Sequence, residues 1–148
     1  DISLGLVGSE MCIRDRLLEK FKSDEFAKLV GVEILEFREG YAKAAMTVRR
    51  ELLNFHGVAH GAAIYALADV AFSVASNSRN IAAVALSMTI HYRRPVAEGT
   101  KLVAEAFEES LGRTTGLYRI VVKDHEGKLI AVGQGLVYLK QGSPVVSA

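Results

Sequence analysis

The residue that most needs a chemical explanation is Asp69. It stands inside the stretch HGAAIYALADVAFSVASNS, where apolar residues from Ala62 to Ala75 occupy nearly every side of a helical wheel. An ionised carboxylate in such a place costs several kcal/mol unless it is paired or hydrogen-bonded. Its helical neighbours at three and four residues, Tyr65, Ala66, Phe72 and Ser73, include no cation. Either backbone amides or a distant Arg satisfy it, or it is held there to act as nucleophile or general base. Gly61 opens the same stretch, where a free N–H and the positive end of the helix dipole favour an oxygen anion. The plainer reading is that Gly61 only relieves a tight turn. Eight residues separate Gly61 from Asp69, about 12 Å along a helix axis. One helix cannot bring both groups to one carbonyl, so a catalytic reading that uses both requires two copies of it, and therefore at least a dimer.

Other chemistries find less support. His56 and His60 stand four residues apart, but the second position of HGVAH is Gly where the zinc-protease helix has Glu, so no metal is expected. His91 sits between Ile90 and Tyr92 in a strand pattern and His125 lies in the turn sequence HEGK; both read as structural or solvated. The chain has no Walker-type Gly-rich loop and no GxSxG elbow, which argues against ATP chemistry and serine-hydrolase chemistry.

The elements that must position Asp69 and Gly61 follow from periodicity. Leu17, Leu18, Phe21, Phe26, Leu29 and Val30 predict a short amphipathic helix that stops at Gly31. Val32–Phe37 and Tyr41–Arg49, joined by Arg38, Glu39 and Gly40, predict a β-hairpin. The Asp69 helix, apolar all round and slim with alanine, is expected to be buried and wrapped by something broad. Ile81–Tyr92, Lys101–Ser110, Thr114–Asp124 and Leu129–Lys140 read as four strands bounded by Pro95, Gly99, Gly112 and HEGK. With no helix between them they must pair antiparallel. The result is an α+β chain, a curved antiparallel sheet around one long buried helix.

Composition bounds the rest. With 18 Lys and Arg against 17 Asp and Glu and no long basic run, no nucleic-acid partner is expected. No apolar run reaches the roughly 18 residues of a membrane span, and the single Cys12 fits a reducing, cytoplasmic setting with no intrachain disulfide. A length of 148 residues suits one domain. The opening DISLGLVGSEMCIRDR resembles translated sequencing-adapter bases, so residues 1–16 are expected to be a non-native or disordered extension and 17–148 the domain; Cys12 is not read as a nucleophile.

Asn54 to Asp69, NFHGVAHGAAIYALAD, resembles the phenylacetate-degradation (PaaI-like) branch of the hotdog thioesterases. The likeness continues through ASNS at Ala75–Ser78, Ala82–Val84, TIHYRRP at Thr89–Pro95 and the Gly99–Leu102 strand start, and covers the chain from about Phe26 onward. It implies a hotdog fold and an acyl-CoA thioesterase, acting on an aryl-acetyl or hydroxylated phenylacetyl-CoA, with no cofactor beyond the CoA of the substrate and a homodimer or homotetramer as the working assembly. By the same likeness the Gly61 amide polarises the thioester carbonyl and Asp69 of the partner subunit attacks it or activates water. Asn54 and His60 would orient the thioester or the water, and Ser87, sharing a strand face with Ala85 and Thr89, would assist that water. Arg93, Arg94 and Arg113 are candidates for the CoA phosphates. The family usually has His-Gly-Gly where this chain has His60-Gly61-Ala62, which bears on substrate fit more than on chemistry. A hotdog enoyl-CoA hydratase or dehydratase and a non-catalytic acyl-CoA binding module are the alternatives on the same fold.

Overall fold

The computed structural model describes residues 13–147. Cys12 and the rest of residues 1–12 lie outside the described residues. Helix α1 spans residues 13–22 and lies on the hairpin through buried Leu17 and through Phe21, which meets the Phe37 ring edge-on at 5.3 Å. The single helix predicted from Leu17 to Val30 is in fact two. The Asp24 carboxylate accepts from the Ala27 N–H at 3.0 Å and caps a new helix, α2, at Glu25–Val30. A side-chain acceptor that captures a downstream N–H starts a helix afresh and does not let the previous one run on. Gly31 ends α2 in the left-handed conformation, φ 87°.

Then follow strands β1 (Glu33–Arg38) and β2 (Tyr41–Thr47), a 3₁₀ turn at Arg50–Leu52, helix α3 (Gly61–Asn77), and strands β3 (Ala83–Tyr92), β4 (Lys101–Leu111), β5 (Thr115–Asp124) and β6 (Leu129–Leu139). They form one six-stranded sheet in the order β1-β2-β4-β5-β6-β3, antiparallel throughout. This is the curved sheet around a central helix that the sequence predicts.

Small residues on both surfaces let α3 lie close to the sheet. Ala42, Ala44, Ala104 and Ala106 are buried on the inner face, opposite Ala63, Ala68, Ala71 and Ala75 of the helix. Gly135 makes room for the Phe72 ring, since an added Cβ there would fall 2.5 Å from Phe72 Cζ. Phe72 packs edge-on against Tyr118, with ring centroids 5.8 Å apart. Full burial of a side chain such as Leu67 or Phe72 stabilises the fold by about 1.5–3 kcal/mol. The helix is not covered on every side, however. Gly61, Tyr65, Asp69 and Asn77 are half-buried and Ala62 and Ser73 are exposed, and their spacing of about four residues draws one stripe open to the outside. Strand β3 borders this open side: it pairs only with β6 among the described residues, and Val84, Leu86 and the neighbouring Tyr138 are exposed. Among the described residues no helix is long and apolar enough to cross a membrane.

Candidate active site

The chain enters α3 through a loop built on Asn54. Its Oδ1 accepts from the His56 N–H at 2.9 Å and the Val58 N–H at 3.3 Å, so the side chain closes the turn that Gly57 completes at φ 80°. The Ala59 N–H then donates to the Val96 carbonyl at 2.8 Å and the His60 N–H to the Leu52 carbonyl at 2.7 Å, which fixes the approach to the helix. His60 is the N-cap: its Nδ1 accepts from the Ala62 N–H at 2.9 Å. A ring nitrogen used this way is an acceptor, so the remaining polar group of the neutral imidazole is an Nε2–H donor.

Gly61 is the first residue of α3, and among the described residues nothing accepts from its N–H. Its carbonyl accepts from the Tyr92 hydroxyl at 3.0 Å. The ring explains the glycine, since an added Cβ would lie 3.3 Å from Tyr92 Cζ. Gly61 helps to line a cavity of about 360 Å³, together with Asn54, Ile64, Tyr92, Arg93 and Arg94, among others. Neither arginine has a carboxylate partner among the described residues. A helix N-terminal donor and two unpaired guanidinium groups therefore share one concave surface suited to anionic oxygen.

Asp69 lies on the open stripe of α3, two turns further on, and is not part of that cavity. Burial lifts its carboxyl above the ordinary carboxylate range, and the charge of Asp24, at the cap of α2, pushes it the same way. Among the described residues no hydrogen bond or cation holds the charged form, so there neither the backbone amides nor the distant Arg considered from the sequence satisfies it. A carboxylate left in this condition is a stronger base than an exposed one.

Asn54, Gly61, Arg93 and Arg94 thus come together, His60 caps the helix beside them, and Asp69 stays apart. Arg113 also stays apart: it lies in the β4–β5 turn next to the β6 end at Leu139, whereas Arg93 follows the opposite end of β3. Ser87 differs from expectation. A bulge at Leu86 pairs Ala85 with Val137 but Ser87 with Leu136, and consecutive residues of β6 point to opposite faces. Ala85 therefore lies on the helix-side face of the sheet, though exposed, while Ser87 and Thr89 share the outer face. An extra residue in a strand is invisible to an alternation count. Tyr92 is the functional neighbour that the sequence reading missed. Its place before Arg93, Arg94 and Pro95 marks a strand end, but nothing local says that this end meets the start of α3. Among the described residues no group of three His, Cys, Asp or Glu side chains could hold a metal ion.

The chain's residues 56–131 match the model of a family described as the thioesterase superfamily. A putative esterase of Archaeoglobus fulgidus is 47% identical over 80% of this chain and 77% of its own length. The acyl-coenzyme A thioesterase PaaI of Escherichia coli is 38% identical over 78% of this chain and 82% of its own. The solved structure of the E. coli PaaI protein from the phenylacetic acid degradation operon superposes with a TM-score of 0.81, 34% identity, and coverage of 88% of this chain and 99% of that one.

Proposed function

The chain belongs to the thioesterase superfamily and is a thioester hydrolase, and from that premise we propose that it cleaves an acyl-CoA to the free acid and CoA at a site shared by two subunits. The observation that carries this reading is Gly61, whose N–H has no acceptor among the described residues, in the wall of a cavity that also presents Arg93 and Arg94. The thioester carbonyl accepts from that amide, and the donor strengthens its hold as negative charge develops on oxygen, an effect worth about 10²–10³ in kcat. Asp69 of the second subunit either attacks the carbonyl carbon, to be released later by water, or takes a proton from the water that attacks; in both cases the CoA thiolate leaves. Arg93 and Arg94 face the CoA phosphates. Asn54 and His60 orient the thioester or the water, His60 through its Nε2–H. Arg113 reaches this cavity only from a partner, and Ser87 assists the water only where a partner's site meets the outer face of β3.

The second subunit is argued from the open side of α3. A long outer strand with an unpaired edge and exposed apolar residues is a template for another copy. Phe55, 93% exposed, Val84 and Leu86 offer apolar surface for it. Pairing of β3 with its twin would set two α3 stripes side by side and close the 12 Å gap between amide and carboxylate that one helix leaves, estimated from the helix rise. A dimer is the minimum, and a tetramer of two such dimers is the full assembly we propose. By analogy with the E. coli relative the acyl group is an aryl-acetyl one, as in phenylacetate degradation, and the one-cysteine chain works in the cytoplasm.

A hydratase would need an acid/base pair placed at the carbons beside the carbonyl, and a non-catalytic binding module would need neither group. Thiol release measured over a panel of acyl-CoAs separates the readings. The proposal expects stoichiometric thiol and acid. Hydration of an enoyl-CoA without thiol release, or tight binding without turnover, would overturn it.

A further inference from the structure

Gly61 lines one cavity, and its chain neighbours His60 and Ala62 line another of opposite character. The first holds Arg93 and Arg94. The other, about 240 Å³, runs between α2 and the first turns of α3 and is lined chiefly by Phe26, Val30, Leu52, Ala62, Ala63 and Ala66. Its polar contributors are Glu51 and the cap residue His60, and a carboxylate at the rim repels phosphate. A thioester of CoA is itself divided this way, polyanionic on the sulfur side and apolar on the acyl side. With the carbonyl at the Gly61 amide and the phosphates toward the arginines, the acyl group is left facing the apolar groove.

Resting on the thioesterase reading above, we propose that the groove between α2 and α3 is the acyl subsite, with Phe26 and Ala62 setting the size of group it accepts. Phe26 remains 58% exposed although it sits on a helix that buries Ala27 and Val30 against the core. An aromatic ring presented at a groove rim has apolar surface left to cover. The Ala62 methyl projects from the exposed side of α3 next to the Gly61 donor. It is the nearest groove side chain in sequence to the carbonyl position, so added bulk there meets the first carbons of the acyl group. The volume is about that of eight water molecules, which suits a short or aryl acyl group and not a long fatty chain.

The test uses the full chain with acetyl-, hexanoyl-, phenylacetyl- and decanoyl-CoA, read as kcat/KM for thiol release. Ala62→Leu should lower the hexanoyl and phenylacetyl values by about tenfold or more and the acetyl value by clearly less, because lost pocket volume costs most for the groups that fill it. Phe26→Ala should shift preference toward decanoyl. Both positions are exposed and both replacements are good helix formers, and an unchanged melting temperature confirms folding. Equal loss on all four substrates, or unchanged preference in both variants, would overturn the acyl subsite while leaving the hydrolase intact. Absence of thiol release by the wild-type chain from every acyl-CoA would instead overturn the hydrolase reading, and this subsite with it.

Discussion

Replacing Gly61 by proline removes one hydrogen-bond donor, puts a ring methylene where the N–H pointed, and adds a Cβ. Proline is tolerated at the first position of a helix, where the N–H has no intrahelical partner to lose. His60 already has φ −64° and ψ 136°, an extended conformation suited to a residue before proline. The new ring does carry a Cβ, and that atom would sit 3.3 Å from Tyr92 Cζ and 3.5 Å from its hydroxyl oxygen. Tyr92 must yield by a few tenths of an ångström, and the bond from its hydroxyl to the Gly61 carbonyl is at risk, a loss of about 0.5–1.5 kcal/mol. Gly61→Ala introduces the same Cβ but keeps the N–H, so it isolates the steric part of that atom, which converts to a rate effect of at most about tenfold. Loss of an oxyanion donor costs about 10²–10³ in kcat, roughly 2.7–4 kcal/mol. The proline variant should therefore fall about a hundredfold or more below the alanine variant in thiol release while melting within a few degrees of it. Equal activity of the two variants would refute the assignment of the Gly61 N–H as the oxyanion donor.

Asp69→Asn should abolish turnover, with a loss of about 10²–10⁴ or more, and near-normal activity in a thiol-release assay would remove Asp69 from the mechanism. The same variant tests the electrostatics. The folded Asp69 carboxyl holds its proton to higher pH than the unfolded one, so its contribution is most favourable below the ordinary carboxylate pKa of about 3.9 and is lost as pH rises through the elevated folded value. Urea unfolding should show Asp69→Asn equal to wild type in acid and more stable at neutral pH; a variant that is less stable at neutral pH contradicts this sign. In wild type, kcat should decline on acidification with a midpoint above that of an exposed aspartate, and a midpoint below it would show that the charged form is held by a partner. Tyr92→Phe, which deletes only the hydroxyl donating to the Gly61 carbonyl, should cost about 0.5–1.5 kcal/mol of stability and lower kcat more than it changes KM; an unaltered kcat would show that the anchor is dispensable.

The sheet was legible because each strand carries its own signal. The Ala42, Ala44, Met46 alternation and the turn residues around Gly112 and HEGK are local and predict strand limits close to those observed. The break between α1 and α2 was not legible, because apolar spacing from Leu17 to Val30 continues through Ser23 and Asp24 and only the side-chain bond to the Ala27 N–H reveals a second start. The bulge at Leu86 puts Ser87 and Thr89 on the face opposite Ala85 without changing strand propensity. In the site, Gly61 and Asp69 stood out because a glycine at a helix start and a carboxylate in an apolar helix are exceptional in place. Their neighbours are matters of distant pairing. Tyr92 meets Gly61 across thirty-one residues, and Asp24 acts on Asp69 from another helix. No periodicity in the chain encodes either contact.

Complementation between two inactive chains tests the shared site most directly. Asp69→Asn keeps the Gly61 donor and Gly61→Pro keeps the carboxylate, so a mixed dimer rebuilds one whole site from the intact halves. Unfolding and refolding the two together in equal amounts should restore about a quarter of wild-type thiol release, since random pairing makes half the dimers mixed and each regains one of two sites. A mixture as inactive as its parents, with exchange of subunits verified by mass, would show that donor and carboxylate do not meet across subunits.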